Sequence, residues 1–177
     1  VLDIACGFGD FLNSIEAAKK VGLDLGVENK KYHGSDIEYS EKGIEALSSY
    51  DDQSFDVIFI SNFLEHLPDK NAVLKLLQDC HQKLKSSGKI LILGPNINVV
   101  QGRYWDFWDH HVPINDQSMV EVLRLAGFEV LSCISKFLPY TTKSSLPQSS
   151  FLVKAYLHMP FAWRFFGEQF FVEAKKS

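Results

Sequence analysis

VLDIACGFGDFL, residues 1–12, reads as a buried strand, a glycine turn and the first turn of a helix. Val1, Leu2 and Ile4 are apolar and strand-prone, while Asp3 sets among them a charge that needs partners if buried. Gly7 and Gly9 permit positive φ and leave no side chain where the backbone turns or a ligand approaches. Asp10 is suited to cap the helix that opens with Phe11 and Leu12. A strand running into a small-residue turn at a helix N-terminus is the nucleotide-binding corner of a doubly wound α/β sheet. Two nucleotide fingerprints are excluded. The dinucleotide pattern G-x-G-x-x-G needs a small residue where Leu12 stands, and no Gly-Lys-Ser/Thr run is present to form a P-loop.

Outward from this corner the chain alternates helices and strands. Phe11, Ile15 and Ala18 share a stripe at helical spacing and predict a helix over 10–20. Val21 to Leu25 is a second strand, and Asp24 near its end offers two carboxylate oxygens to a ribose diol. Residues 26–35 hold a very short helix or turn, and 36–41 alternate as an edge strand. Phe55 to Ile60 is a central strand, apolar on both faces. Asn62, Phe63, Glu65 and His66 follow it, at the strand end where open α/β sheets bind ligands. A helix over 69–87 carries Val73, Leu77, Cys80 and Leu84 on one stripe, with Gly88 as a left-handed cap and Lys89 to Leu93 as the fifth strand. Residues 94–115 are a long irregular loop rich in Trp, Tyr, Asp and His, and such loops are usually functional. A helix over 116–126, begun by Asn115 or Asp116 and stopped by Gly127, precedes a strand over 128–135. Residues 136–166 form an aromatic-rich extension that starts as a polar loop. Within it Phe151, Leu152, Tyr156, Met159 and Trp163 either pack as a second helical layer or form a contact patch. Glu168 to Ala174 closes the chain as a seventh strand.

At 177 residues, 46% apolar and 23% charged, the chain has the size and composition of one globular domain. Its net charge of −4 argues against non-specific nucleic-acid binding. Cys6, Cys80 and Cys133 are odd in number and widely spaced, which fits a reducing, cytoplasmic setting. No apolar run reaches the span of a bilayer. The chain opens inside a core strand without a Met, so a preceding segment is expected.

V-L-D-x-x-C-G-x-G at residues 1–9 resembles the first motif of class I S-adenosylmethionine-dependent methyltransferases, and SFDV with LEHLP, within 54–68, resembles their fourth-motif region. G-F-E-V at 127–130 is similar to the helix-to-strand junction of many members. The resemblance implies an α/β, Rossmann-like, doubly wound seven-stranded sheet, mostly parallel with an antiparallel last strand. It implies S-adenosyl-L-methionine as cofactor, lying across the glycine loop against Asp3, Ala5, Cys6, Gly7 and Gly9. Ala5 stands where the family has its first loop glycine. Asp24 and Leu25 would then meet the ribose, Ile44 replaces the Asp that holds the adenine amine, with Glu45 or a backbone group as its substitute, and Asn62 and Phe63 line the methionine side. Some quinone-pathway members hold a divalent metal with an earlier Glu and this Glu-His pair. Here Asn62 takes the earlier position, and the adjacent His110 and His111 point in different directions, so no metal is expected.

His66 is the candidate base, because an unperturbed imidazole titrates near neutrality and methyl transfer to a hydroxyl requires removal of a proton. The other reading is that Glu65 and His66 pin the loop. His110 and His111 are further candidates. Tyr104, Trp105, Phe107 and Trp108 supply flat apolar walls, and Asn96, Asp106, Asp109, His110 and His111 supply polar groups for an acceptor. That mixture suits a sugar or sugar-lipid. Alternatively the segment is an aromatic lid with Arg103 paired to an Asp. The expected function is methyl transfer to a small hydroxyl-bearing acceptor. The alternative is a methyltransferase-like protein that binds the cofactor without turnover, which Ala5, Ile44 and Asn62 favour. A small-molecule acceptor is the expected partner, and the aromatic extension alone hints at membrane contact.

Overall fold

The structure, a computed structural model, describes the backbone of residues 1–140 and 150–177, with side chains for 1–140 and 154–177. β1 (Leu2–Ile4) is an interior strand of one seven-stranded sheet. It pairs in parallel with β2 (Lys20–Leu23) on one side and β4 (Phe55–Ser61) on the other. β3 (Ile37–Ser40) continues the sheet beyond β2, and β5 (Leu84–Pro95) continues it beyond β4, both in parallel. β7 (Gln169–Lys176) runs antiparallel between β5 and β6 (Phe128–Ile134), giving the order β3-β2-β1-β4-β5-β7-β6. This is the expected doubly wound seven-stranded sheet with an antiparallel last strand. The chain winds outward from β1 to β3, then returns to the far side of β1 as β4. A crevice therefore opens at the carboxyl ends of β1 and β4, where such sheets bind ligands.

Strand positions that face helices on either side hold the core. Leu2, Ile4, Ile58, Ile60 and Ile90 are wholly buried. α2 (Lys70–Lys83) covers them with Val73, Leu76, Leu77 and Cys80. α4 (Asp116–Leu125) adds Met119 and Leu123. Both helices start on side-chain caps: Asp69 accepts from Ala72 N, and Asn115 and Ser118 cap each other's backbones. Gly127, at φ +96°, stops α4 as expected.

Three elements depart from the sequence expectation. α1 spans only Asp10–Ser14, not 10–20. The buried Lys20 ammonium donates to the carbonyls of Leu12 and Ile15 at 3.0 and 3.3 Å, so the helix ends there and the chain turns at once into β2. Gly88 is no helix cap. α2 ends at Lys83, Leu84 is already extended, and Gly88 lies inside β5 opposite a register shift in β4. A Cβ on Gly88 would stand 3.0 and 3.1 Å from the carbonyl oxygens of Lys85 and Phe55, so glycine is needed for close backbone approach. The segment 94–115 is not irregular throughout: α3 (Ile97–Val100) and a 3-10 segment, Gln101–Asp106, order its first half.

α5 (Ser150–Leu157) and α6 (Pro160–Phe166) form a helical hairpin before β7. Of the residues expected to form a patch, Tyr156 and Trp163 turn inward. The Tyr156 hydroxyl donates to Phe137 O, and Trp163 Nε1 donates to Tyr156 O. The side chains of Phe151 and Leu152, and most of the polar loop, lie outside the described residues.

Candidate cofactor and acceptor site

The loop after β1 is built from left-handed residues. Ala5, Gly7 and Gly9 have φ of 58°, 50° and 77°. Ala5 thus occupies a conformation that suits glycine, at a cost of about 1–2 kcal/mol for an L side chain. Above Gly7 there is open space, since a Cβ there would meet nothing within 4 Å. Gly9 is crowded instead: a Cβ would fall 2.6 Å from the His33 ring. His33, which carries no local signal in the sequence, also stands 3.4 Å from Cys6 Sγ and bonds the carbonyl of Asn29.

Asp24 ties this loop to the end of β2. One oxygen accepts from Gly7 N at 2.9 Å, and the other accepts from Gly26 N at 2.7 Å and Asn29 Nδ2 at 3.2 Å. Two hollows flank the junction. The larger, about 480 Å³, brings Ala5, Asp24, Leu25, Ile44 and Phe63 together with His66 and Asp109, and adds Glu45. The smaller lies over Asp3, Ala5, Cys6, Gly7 and Asp10, with Phe11 and Phe59 as its apolar wall. Asp3 is buried and its pKa is pushed up to about 8, first by desolvation and then by the nearby Asp24 carboxylate. Burial likewise pushes the Cys6 thiol up to about 12, leaving it protonated and unreactive. A carboxylate-lined crevice with an open glycine cradle fits a cationic nucleoside ligand.

A third hollow, about 260 Å³, lies against the first. Asn62, Glu65, His66, Phe107, Asp109, His110, Tyr140 and Gln169 line it. Asn62 sits here at φ 49° and not in the hollow with Asp24 and Ile44. His66 Nδ1 stands 3.1 Å from both the carbonyl oxygen and the carboxylate Oδ2 of Asp109. This engages Nδ1 and leaves Nε2 as the free ring nitrogen. Asp109, expected to touch the acceptor, is therefore the partner of His66. Glu65 is 2% exposed, and burial raises its carboxyl to about 7. Its backbone carbonyl accepts from His111 N and Val112 N, which pins the 94–115 segment over the site. His110 is buried, stacks on Phe107, and leaves Nδ1 without a partner. Burial and then the neighbouring His66 lower its pKa.

Adjacent histidines do diverge: His111 is exposed, and its side chain joins neither hollow. Donor atoms of Glu65, His66 and His110 all lie within 4.8 Å of one another, so among the described residues this trio could hold a divalent ion. It keeps the Glu65–His66 pair named in the sequence, with His110 as the third donor and Asn62 not among them.

Several expected acceptor residues serve the fold instead. Tyr104 is wholly buried, with its hydroxyl donated to Val112 O. Asn96 caps α3 and binds Asp116 and the Ser135 carbonyl. Trp105 and Asp106 are exposed and line neither hollow. Arg103 pairs with Glu168, not with an Asp. Tyr140 and Gln169 were not picked out as site residues, and Glu65 was named only as a neighbour of His66. Their convergence from separate elements left no local signal, apart from an acid at 65 between the apolar Leu64 and Leu67.

Sheet order, reversed β7 and a glycine loop at the switch point define the class of protein, a Rossmann-like methyltransferase fold. Residues 2–92, just over half of the chain, match a family described as a methyltransferase domain. The chain belongs to this family of class I S-adenosylmethionine-dependent methyltransferases. The ubiquinone biosynthesis O-methyltransferase of Salmonella enteritidis is 32% identical over 114 residues, 59% of this chain and 45% of that protein. That of Idiomarina loihiensis is 34% identical over 108 residues, 56% and 43% of the two chains. The chain thus spans less than half the length of the curated relatives it matches. A SAM-dependent methyltransferase from Archaeoglobus fulgidus superposes with a TM-score of 0.72 at 24% identity, over 99% of this chain and 85% of that one. An S-adenosylmethionine-dependent methyltransferase from Mesorhizobium loti gives 0.67 at 17% identity, over 99% and 89%. At these identities the likeness is one of fold.

Proposed function

We propose that the chain transfers a methyl group from S-adenosylmethionine to a hydroxyl oxygen of a small acceptor. The observation that carries this reading is the His66–Asp109 pair at 3.1 Å, set between the hollow over Asp24 and the hollow over Glu65. When bound, the cofactor supplies a methyl group made electrophilic by a positively charged sulfur. Asp3, Gly7 and Asp24 would hold it, with Phe63 and Ile44 as apolar walls. Phe107 and Tyr140 would press on a flat or C–H-rich face of the acceptor. Glu65, protonated through much of the neutral range, would donate a hydrogen bond to it. Asp109 holds the His66 ring by its Nδ1–H, so that Nε2 accepts the hydroxyl proton as the new bond forms. Most of the remaining rate would come from holding the two reactants in line.

The mixture of aromatic faces and polar groups suits a sugar or sugar-lipid acceptor. A second reading, a ring hydroxyl of a quinone precursor, draws on the names of the Salmonella and Idiomarina relatives. The test is a mass-spectrometric assay of methylated product against a panel of glycosides and catechols. On this reading His66→Ala lowers kcat by about 10²- to 10⁴-fold with little change in cofactor affinity. Unchanged turnover in His66→Ala, or equal loss of cofactor binding, would make His66 structural and refute the assignment.

A further inference from the structure

α6 and the end of α5 present an apolar outer face. Phe161, Phe165 and Phe166 are 74%, 68% and 63% exposed, and Leu157 and Met159 flank them at 39% and 46%. Exposed aromatics on this scale, on two short helices, are uncommon on a surface that meets only water. Among the described residues the inner face of the same hairpin is packed and hydrogen-bonded. Ala162 is buried, Trp163 packs edge-on to Phe137 at 4.9 Å, and Tyr156 and Trp163 both spend their polar atoms on backbone carbonyls. The outer aromatics are therefore a second face in their own right.

Charge chooses among partners for that face. From Val130 to Gly167 the chain carries Lys136, Lys143, Lys154 and Arg164 and no Asp or Glu, although its net charge is −4. Lys154 and Arg164 are exposed on the hairpin itself. A short helix pair with aromatics on its outer face, cations beside them and no acid has the chemistry of an interfacial anchor on an anionic membrane. Eight and seven residues cannot cross a bilayer, and among the described residues no helix is long and apolar enough to do so. The hairpin would lie in the headgroup layer with its lysine and arginine stems reaching outward to phosphate.

We infer that the outer face of α5–α6 docks on an anionic lipid bilayer. Its position gives the docking a purpose, and this consequence rests on the function proposed above. The hairpin is fastened to Phe137–Tyr140 and to the start of β7: Glu168 N and Gln169 N both donate to Leu138 O, and Gln169 Nε2 donates to Pro139 O. Tyr140 and Gln169 are walls of the acceptor hollow. An anchored hairpin would therefore hold that hollow beside the membrane, where a lipid-borne acceptor is presented.

The test is co-flotation of the full chain with phosphatidylcholine vesicles, with and without phosphatidylglycerol. Binding is expected only with the anionic lipid, weakened by salt, and lost in a Phe161→Ser/Phe165→Ser variant. Thermal midpoint and S-adenosylhomocysteine titration should be unchanged in that variant, which separates this claim from the methyltransferase reading. An Arg164→Glu variant should show a partial loss. Absence of binding to anionic vesicles, or equal binding by the aromatic variant, would overturn the inference. So would a concentration-dependent dimer in sedimentation that the aromatic variant dissolves while vesicles remain unbound, since the face would then belong to a second copy.

Discussion

Residue by residue, the site depends on conformations and partners that a single substitution can test. Ala5 stands at φ 58° where glycine would be relaxed. Ala5→Gly removes that strain and restores some freedom to the unfolded chain, two effects of opposite sign. We expect a net gain of up to about 1 kcal/mol, read as a higher urea midpoint at unchanged slope. A loss of stability would mean that the Ala5 methyl makes packing contacts that outweigh the strain. Asp109→Asn tests the pairing of His66 from the other side. The Asp109 backbone carbonyl still accepts from Nδ1 in that variant, so kcat should fall by less than in His66→Ala. A larger fall would place Asp109 on the acceptor itself.

For single elements, the lesson is how far a side chain can reach to end one and begin another. α1 has five residues because the Lys20 ammonium caps its carbonyls, and the same ammonium pairs with Asp36 at 2.7 Å beside β3. Lys20→Met strands the two carbonyls, while the exposed Asp36 carboxylate turns to water. A cost of about 1–3 kcal/mol in equilibrium unfolding is expected, and a cost near zero would show that water replaces the ammonium freely. Short apolar runs made β1, β2 and β4 legible in the sequence, and cap residues made α4 legible, because each signal is written locally. The end of α1 and the role of Gly88 were not legible, since each is decided by a contact across the sheet: Lys20 with α1, and Gly88 with the backbone of Phe55. The candidate site divides the same way. Gly7, Gly9 and Asp24 were legible because loop chemistry and strand ends announce them. Tyr140 and Gln169 reach the acceptor hollow from the far end of the chain and carry no such mark.

On the scale of the whole molecule, the binding crevice has an electrostatic cost that pH exposes. Folding raises the Asp3 carboxyl from the ordinary range to about 8. A group raised in this way contributes its full stability below its unfolded pKa and loses it as pH climbs towards the folded value. Asp3→Asn should therefore gain stability relative to the parent as pH rises from 5 to 8, in paired thermal melts. A constant offset across that range would mean that Asp3 is not buried as a neutral acid. Occupied by a cationic cofactor, the same carboxyl would ionise more readily, so the parent should bind cofactor better than Asp3→Asn even though the variant is the more stable at pH 8.

The most direct measurement is calorimetric titration of the full chain with S-adenosylhomocysteine, repeated on Asp24→Ala with its melting curve recorded. The site described at the ends of β1 and β2 predicts one molecule bound per chain, with affinity at least tenfold weaker in the folded variant, about 1.4 kcal/mol or more. Binding of equal strength in parent and folded variant would contradict it, as would no heat of binding to the parent at all.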